Sequence, residues 1–233
     1  MRKRNLILGL MAAAGMTAVL FCDKYLQAVK SPEETLGKTI LEQENTGRES
    51  PRAALTFDDG PSKKYTPLLL DGLKERGVKA SFFLLGRNIE GNEALVLRMY
   101  EEGHLIGNHT YDHVQLTKTD QKEAQMQIEK TGNRIYEITG EYPIFLRPPF
   151  GETREDLQLA VALFNVPWNV DTLDWKTKNA DSILEIVQEN VKDGSIILMH
   201  DGYASSVEGA LAVVDYLQKE GYELVTVDRL LLV

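Results

Sequence analysis

The chain runs to 233 residues, 43% apolar and 26% charged, enough to build a packed core and unlike a disordered polyelectrolyte. One main domain is expected at this length, since α/β barrels of similar size fold as single units. The formal net charge of -9, from 35 acidic and 26 basic residues, argues against nucleic acid as a partner, because phosphate backbones are held chiefly by Lys and Arg. Arg2, Lys3 and Arg4 precede an uncharged run over residues 6–22, and the next charge is Asp23. A basic flank before an unbroken apolar segment is the pattern of an export signal or a membrane anchor. The small residues Ala12, Ala13 and Ala14 lie inside the run, where cleavage would leave an apolar new terminus, and Phe21 before Cys22 is too bulky for lipoprotein processing. Residues 1–22 are therefore expected to stay as a single span, with the rest of the chain outside the membrane. Cys22 is the only cysteine, so the exported part forms no internal disulfide and no thiolate metal cluster. Residues 23–50 are polar and lack a sustained apolar period, which predicts a linker or stalk.

From residue 51 to 233 short runs rich in β-formers alternate with longer segments of helical spacing. The pattern predicts strands at 53–57, 80–84, 105–108, 144–146, 166–170, 195–199 and 223–227. Helices are predicted at 66–76, 93–102, 120–139, 155–162, 182–190 and 208–220. Ser182 with Glu185, and Ser205 with Glu208, have capping-box spacing, and Gly77, Gly103, Gly140 and Gly221 stand where helices should end. Regular alternation of strand and helix implies parallel βα units, wrapped as a barrel or as a doubly wound sheet.

In such folds ligands bind at the C-terminal ends of the strands, and five polar clusters follow predicted strand ends. They are Thr56-Phe57-Asp58-Asp59-Gly60-Pro61, His109-Thr110-Tyr111-Asp112-His113, Arg147-Pro148-Pro149-Phe150-Gly151, Asp171-Thr172-Leu173-Asp174-Trp175 and His200-Asp201. Adjacent carboxylates at the end of an apolar strand repel unless a cation or a hydrogen-bond network compensates them. Two imidazoles four residues apart fall on one side of a helical turn, and an Asp with two His leaves room for water and substrate on a Zn2+-type centre. Each feature has a plain alternative: Asp-Asp-Gly is commonly a turn, paired histidines are commonly surface or core residues, and Asp171 or Asp174 can simply cap a helix or start a turn. Only four histidines occur, and three of them fall in these clusters, which weighs against coincidence. His104, outside the clusters, shows no partner and is read as structural.

In this order the five clusters resemble the motifs of the polysaccharide deacetylase family, also called the NodB homology or carbohydrate esterase family four, over nearly all of residues 52–233. The resemblance implies a distorted (β/α) barrel of about seven parallel units and one divalent ion, Zn2+ or another such as Co2+, on Asp59, His109 and His113. It implies that Asp58 is the catalytic base, that Arg147 orients it, that His200 is the general acid and that Asp174 tunes His200. Trp175 and Leu198 would line the groove for the acetyl methyl group. Phe150 stands where the family often has Tyr, which removes a hydroxyl but keeps the backbone N–H credited with stabilising the oxyanion. The activity implied is hydrolysis of N-acetyl groups on an extracytoplasmic polysaccharide, with peptidoglycan favoured because the domain is expected beside the wall, and with the chain acting as a monomer. Alternatives are a chitin oligosaccharide deacetylase, an O-acetyl (xylan-type) esterase on the same centre, and a glycan-binding module without catalysis.

Overall fold

The computed structural model describes residues 50–231 except 153, 155 and 160. The expected anchor over 1–22 and all of the expected linker but Ser50 lie outside the described residues, and no described helix is long and apolar enough to cross a membrane. The described part is built around β1 (Arg52–Asp58), whose seven residues are all buried. On one side β1 pairs along nearly its whole length with β7 (Ser195–His200). On the other it pairs first with β8 (Glu223–Leu224) and then, at its C-terminal end, with β2 (Ser81–Leu84). Beyond β2 come β3 (Leu105–Asn108), β4 (Phe145–Leu146) and β5 (Phe164–Asn165), and beyond β7 comes β6 (Val170–Asp171). Every pairing is parallel, so all strands deliver their C-terminal ends to one rim.

The path does not close into a full barrel, for no ladder joins β5 to β6 among the described residues. One strand was predicted across 166–170; instead the chain changes partners there. Val166 donates its N–H to the Leu146 carbonyl on one edge, and Asn169 donates to the Ile196 carbonyl on the other. Pro167 between them has no N–H to continue a ladder. Arg147 fills the seam, its Nε bonding to the Val166 carbonyl at 3.0 Å and its Nη2 to the Pro167 carbonyl at 3.4 Å.

Side chains alternate along the central strands with the period of two that a pleated strand imposes. Ala53, Leu55, Phe57, Phe82, Leu84, Ile197 and Met199 face the helices. Ala54, Phe83, Phe145 and Ile196 face inward with Val166 and Val227. Full burial stabilises each large apolar side chain by about 1.5–3 kcal/mol. The helices covering the outer face are α1 (Thr66–Glu75), α2 (Gly86–Ile89), α3 (Glu93–Glu101), α4 (Gln121–Thr139), α5 (Asp174–Thr177), α6 (Ala180–Asn190) and α7 (Ala204–Lys219), while α8 (Val227–Leu231) packs Val227, Leu230 and Leu231 on the inner cluster. Asp120 caps α4 by accepting the Glu123 N–H, and Gly140 ends it at φ 76°, a left-handed conformation that costs glycine little.

The short helices α2, α5 and α8 lack the length that makes a periodic pattern visible. The helix predicted at 155–162 is absent among the described residues: Leu157 and Leu159, two apart, both pack with Leu163 on Leu116, Ala124 and Ile128, while Gln121 and Gln125 of α4 hold the Gln158 carbonyl. Neither predicted capping box forms. Helix α6 starts at Ala180, with Asn179 accepting the Ser182 N–H at 2.9 Å, and α7 starts at Ala204 behind Tyr203, which makes no side-chain cap.

Candidate active site and metal centre

At the rim, Asp58 is the last residue of β1 and Asp59 the first of the following loop, where its φ is 70°. His109 follows β3, but His113 does not lie a helical turn beyond it. Thr110 and His113 have φ of 69° and 61°, so the loop doubles back and brings the two rings to 5.1 Å. Gln127, buried on α4, fixes that loop through its side-chain carbonyl, which accepts the Tyr111 and Asp112 N–H groups at 3.1 and 2.7 Å. The result places Asp59 Oδ1 3.6 Å from His109 Nε2 and 3.6 Å from His113 Nε2.

Those separations are too long for hydrogen bonds, and Asp59 Oδ1 is buried without a partner. They match what a central cation requires: tetrahedral ligands at about 2.0–2.1 Å from Zn2+ stand roughly 3.3–3.4 Å from one another. His109 Nδ1 lies 2.6 Å from the Arg147 carbonyl, which only accepts, so Nδ1 carries the proton and Nε2 is left with its lone pair. Burial first, then the neighbouring His109, pulls His113 below its ordinary pKa and favours the neutral ring that binds metals. Asp59, His109 and His113 thus fit one divalent ion by geometry and by donor chemistry.

Arg147 and Asp58 form a buried pair at 2.9 Å through Nη1 and Oδ1. The same Nη1 reaches Thr56 Oγ1 at 2.6 Å, and Thr56 donates to the Ile197 carbonyl at 2.7 Å. The guanidinium lies 4.3 Å over the Phe83 ring, at the top of the inner apolar layer. Burial lowers its pKa from the ordinary value while Asp58 opposes that effect. With Oδ1 engaged, Asp58 Oδ2 is directed to the metal-ligand side, 3.7 Å from His109 Nε2.

His200 ends β7, and its Nδ1 is 2.8 Å from Asp174 Oδ1 on the first turn of α5. Asp174 Oδ2 accepts the His200 N–H at 2.8 Å and the Ser206 hydroxyl at 2.6 Å. Burial alone would lower the His200 pKa, but the Asp174 hydrogen bond and charge outweigh it and raise it to about 8. For Asp174 burial works upward, and the bonds from His200 and Ser206 prevail to bring it below the usual carboxylate value.

Phe150, 61% exposed at φ 63°, sets its ring 4.8 Å from that of His113, and Trp175 on α5 is 49% exposed. Leu198 is buried on β7, two residues before His200 and opposite Thr56 and Asp171 in register. Asp171 does the work of a turn residue, accepting the Leu173 N–H at 2.9 Å. The cap at the start of α6, one of the plain alternatives for these aspartates, belongs to Asn179. His104 is structural but not partnerless. Its Nδ1 accepts the Ala80 N–H at 3.1 Å, and burial, the leading cause, takes its pKa down to about 4. A cavity of about 440 Å³ lies among Tyr100, His104, Leu105 and Phe145, at the starts of β3 and β4, and none of the site residues lines it.

No role follows from the sequence for Thr56, Asn88, Gln127 or Ser206, although Thr56 opens the first cluster. Thr56 had a signal, for it lies two residues before Asp58 on the same face of the strand. Asn88, which holds the Asp59 carbonyl at 2.7 Å, and Ser206 reach the site only through the packing of α2 and α7.

Residues 45–167 match the polysaccharide deacetylase family. Over 208 residues, 89% of this chain, the sequence is 41% identical to peptidoglycan-N-acetylglucosamine deacetylase PgdA of Listeria monocytogenes, of whose length it spans 42%. It is 44% identical over 181 residues to a peptidoglycan-N-acetylglucosamine deacetylase of Bacillus cereus, covering 74% of this chain and 66% of that one. The structure of peptidoglycan deacetylase PdaC from Bacillus subtilis superposes with a TM-score of 0.75 at 38% identity, over 78% of this chain and 90% of that chain. Similarity of this extent runs through the strands that present the Asp, His and Arg clusters as well as the clusters themselves, and the chain belongs to the polysaccharide deacetylase family.

Proposed function

We propose that this chain hydrolyses the N-acetyl groups of peptidoglycan N-acetylglucosamine, with a divalent ion, Zn2+ in the first place, at Asp59, His109 and His113. The observation that carries the reading is a carboxylate and an imidazole prepared for opposite proton transfers beside one three-ligand cluster. Asp58 is fixed by Arg147 with one oxygen left over, while His200 is held above its ordinary pKa by Asp174. The ion, when bound, supplies Lewis acidity to the acetyl carbonyl and makes water more acidic.

Asp58 takes a proton from the attacking water as its oxygen bonds to the carbonyl carbon. Arg147 keeps Asp58 in one orientation throughout, its own position set by Thr56 and by the Val166 and Pro167 carbonyls. The Phe150 N–H stabilises the developing oxyanion, a contribution of about 3 kcal/mol for one such donor. His200 gives its proton to the nitrogen as the C–N bond breaks, leaving acetate and a free amino sugar. An amine leaves poorly unless protonated, and a histidine with pKa about 8 still carries its proton at neutral pH. Trp175, Phe150 and Leu198 form the sugar and methyl contacts of the groove in this reading.

The names of the relatives support peptidoglycan over chitin as substrate. The basic flank and apolar run of residues 1–22 support a membrane anchor with the catalytic domain outside, and a flexible chain of the length of residues 23–50 would span roughly 30 Å, within range of nascent wall. The test is acetate release from purified wall, from N-acetylglucosamine oligomers and from O-acetylated xylan, with mass analysis of the digested glycans. Acetate from xylan alone would establish an esterase, and glycan binding with no acetate from any substrate would establish a binding module.

A further inference from the structure

Asp201 takes no part in the chemistry above, yet it is 1% exposed directly after β7 and forms no ion pair among the described residues. Its Oδ2 accepts a hydrogen bond from the Thr66 hydroxyl, and its Oδ1 has no hydrogen-bond partner. A buried carboxylate with so few partners is costly, and its position has to be useful elsewhere. The carboxylate lies directly on Gly60: a Cβ at that position would stand 2.8 and 2.9 Å from its two oxygens. Thr66, besides donating to Asp201, accepts the Ser62 N–H at 2.7 Å. The segment after Asp59 is therefore clasped from two directions by one pair of side chains, Asp201 pressing on Gly60 and Thr66 holding Ser62. From the opposite side the Leu85 N–H bonds to the Gly60 carbonyl at 3.0 Å and Asn88 bonds to the Asp59 carbonyl. Asp59 itself, at φ 70°, is in the left-handed region, which aspartate enters more readily than most residues but still at a cost that the contacts around it help to offset.

We propose that Asp201 is a positioning residue for the metal ligand Asp59, acting through Thr66 and Gly60. The inference rests on the reading of Asp59 as a ligand. Outer partners of this kind orient first ligands, and their loss weakens metal affinity about 10–100-fold without removing a ligand atom. The clasp also joins the strand end that bears His200 to the loop that Asp59 opens, directly after Asp58 at the end of β1.

The test uses the full chain, with zinc affinity measured by chelator competition and melting followed in EDTA, for Asp201→Ala, Asp201→Asn, Thr66→Val, the Asp201→Ala/Thr66→Val pair and Asp59→Ala. Asp201→Ala and Thr66→Val are each expected to weaken zinc binding about tenfold, and the pair to weaken it little further, because both act through one contact. Asp201→Asn, which keeps the shape and an acceptor for Thr66, is expected to stay within about threefold of the parent. Where Asp201→Ala does not fold, Thr66→Val carries the measurement. Variants that melt earlier in EDTA but bind zinc as tightly as the parent, while Asp59→Ala loses zinc, would overturn the positioning role alone. Retention of zinc by Asp59→Ala as well would overturn the ligand assignment and this inference with it.

Discussion

Replacing Asp174 with Asn isolates the charge that prepares His200. Burial pulls the imidazole pKa down, and the Asp174 hydrogen bond and charge are the leading causes that raise it, ahead of the charges of Asp58 and Asp59, so without the Asp174 charge it should move from about 8 back toward the ordinary 6.5. A full return to 6.5 is about 1.5 pKa units, or roughly 2 kcal/mol of preference for the protonated ring. At pH 7.5 the protonated fraction would fall from about three-quarters to about one-tenth, roughly an eightfold loss of the proton donor before any loss of orientation is counted. Because the folded pKa is raised, the pair stabilises the fold fully below pH 6.5, and the contribution disappears as pH rises through about 8. Titration of the His200 ring by NMR in the metal-free chain reads the pKa directly, and kcat against pH in the reconstituted enzyme reads its use. Asp174→Asn should move both the titration and the alkaline limb downward, and its melting deficit relative to the parent should shrink between pH 6 and pH 9. A His200 titration that stays near 8 in the variant would refute the assignment of Asp174 as the cause.

Chelation should abolish acetate release, and His109→Ala and His113→Ala should each lose bound metal by elemental analysis, whereas Asp58→Asn should keep the metal and lose turnover; equal metal loss in the Asp58 and Asp59 variants would reverse their roles. Arg147→Met should cost about 3–5 kcal/mol in denaturant unfolding, because it strands Asp58 as a buried charge, and a loss below 1 kcal/mol would show that the pair is not buried in solution. Gly60→Ala, whose added carbon would meet the Asp201 carboxylate, should lower zinc affinity and melting temperature together, with Asp201→Ala in the same chain restoring part of both. Trp175→Ala and Phe150→Ala, both at exposed positions, should change stability by less than about 0.5 kcal/mol while raising KM for wall glycan; unchanged KM would remove them from the groove.

Much of the rim was legible because the fold places chemistry at strand ends, so a run such as Leu55-Thr56-Phe57 ending in Asp58-Asp59 announces both a strand and a site. The long helices were legible for the same reason of periodicity, and Asp120 and Gly140 mark the limits of α4 as capping chemistry dictates. What failed had no local signal. The split of 166–170 into two strand edges depends on Leu146 and Ile196 offering carbonyls from opposite sides of the seam. The convergence of His109 and His113 came from a loop with left-handed residues, and the helical spacing that suggested it was incidental. The Ser182 and Ser205 capping boxes lost to caps three and two residues earlier, at Asn179 and Tyr203, a shift of a helix start that tertiary packing decides.

Because the sheet stops short between β5 and β6, one side chain serves as keystone for two structures. Arg147 closes the seam through the Val166 and Pro167 carbonyls with two of its nitrogens and orders Asp58 with the third. Chemistry and folding therefore share a single point of failure, and an inactive Arg147 variant cannot be read as a clean catalytic knockout. Sequence drift in this domain should accordingly be tolerated around the exposed rim, which the proposed function makes the glycan-facing part, and purged at the seam. A designer seeking a new acetylated substrate would vary the neighbourhood of Phe150 and Trp175 and leave the arginine untouched.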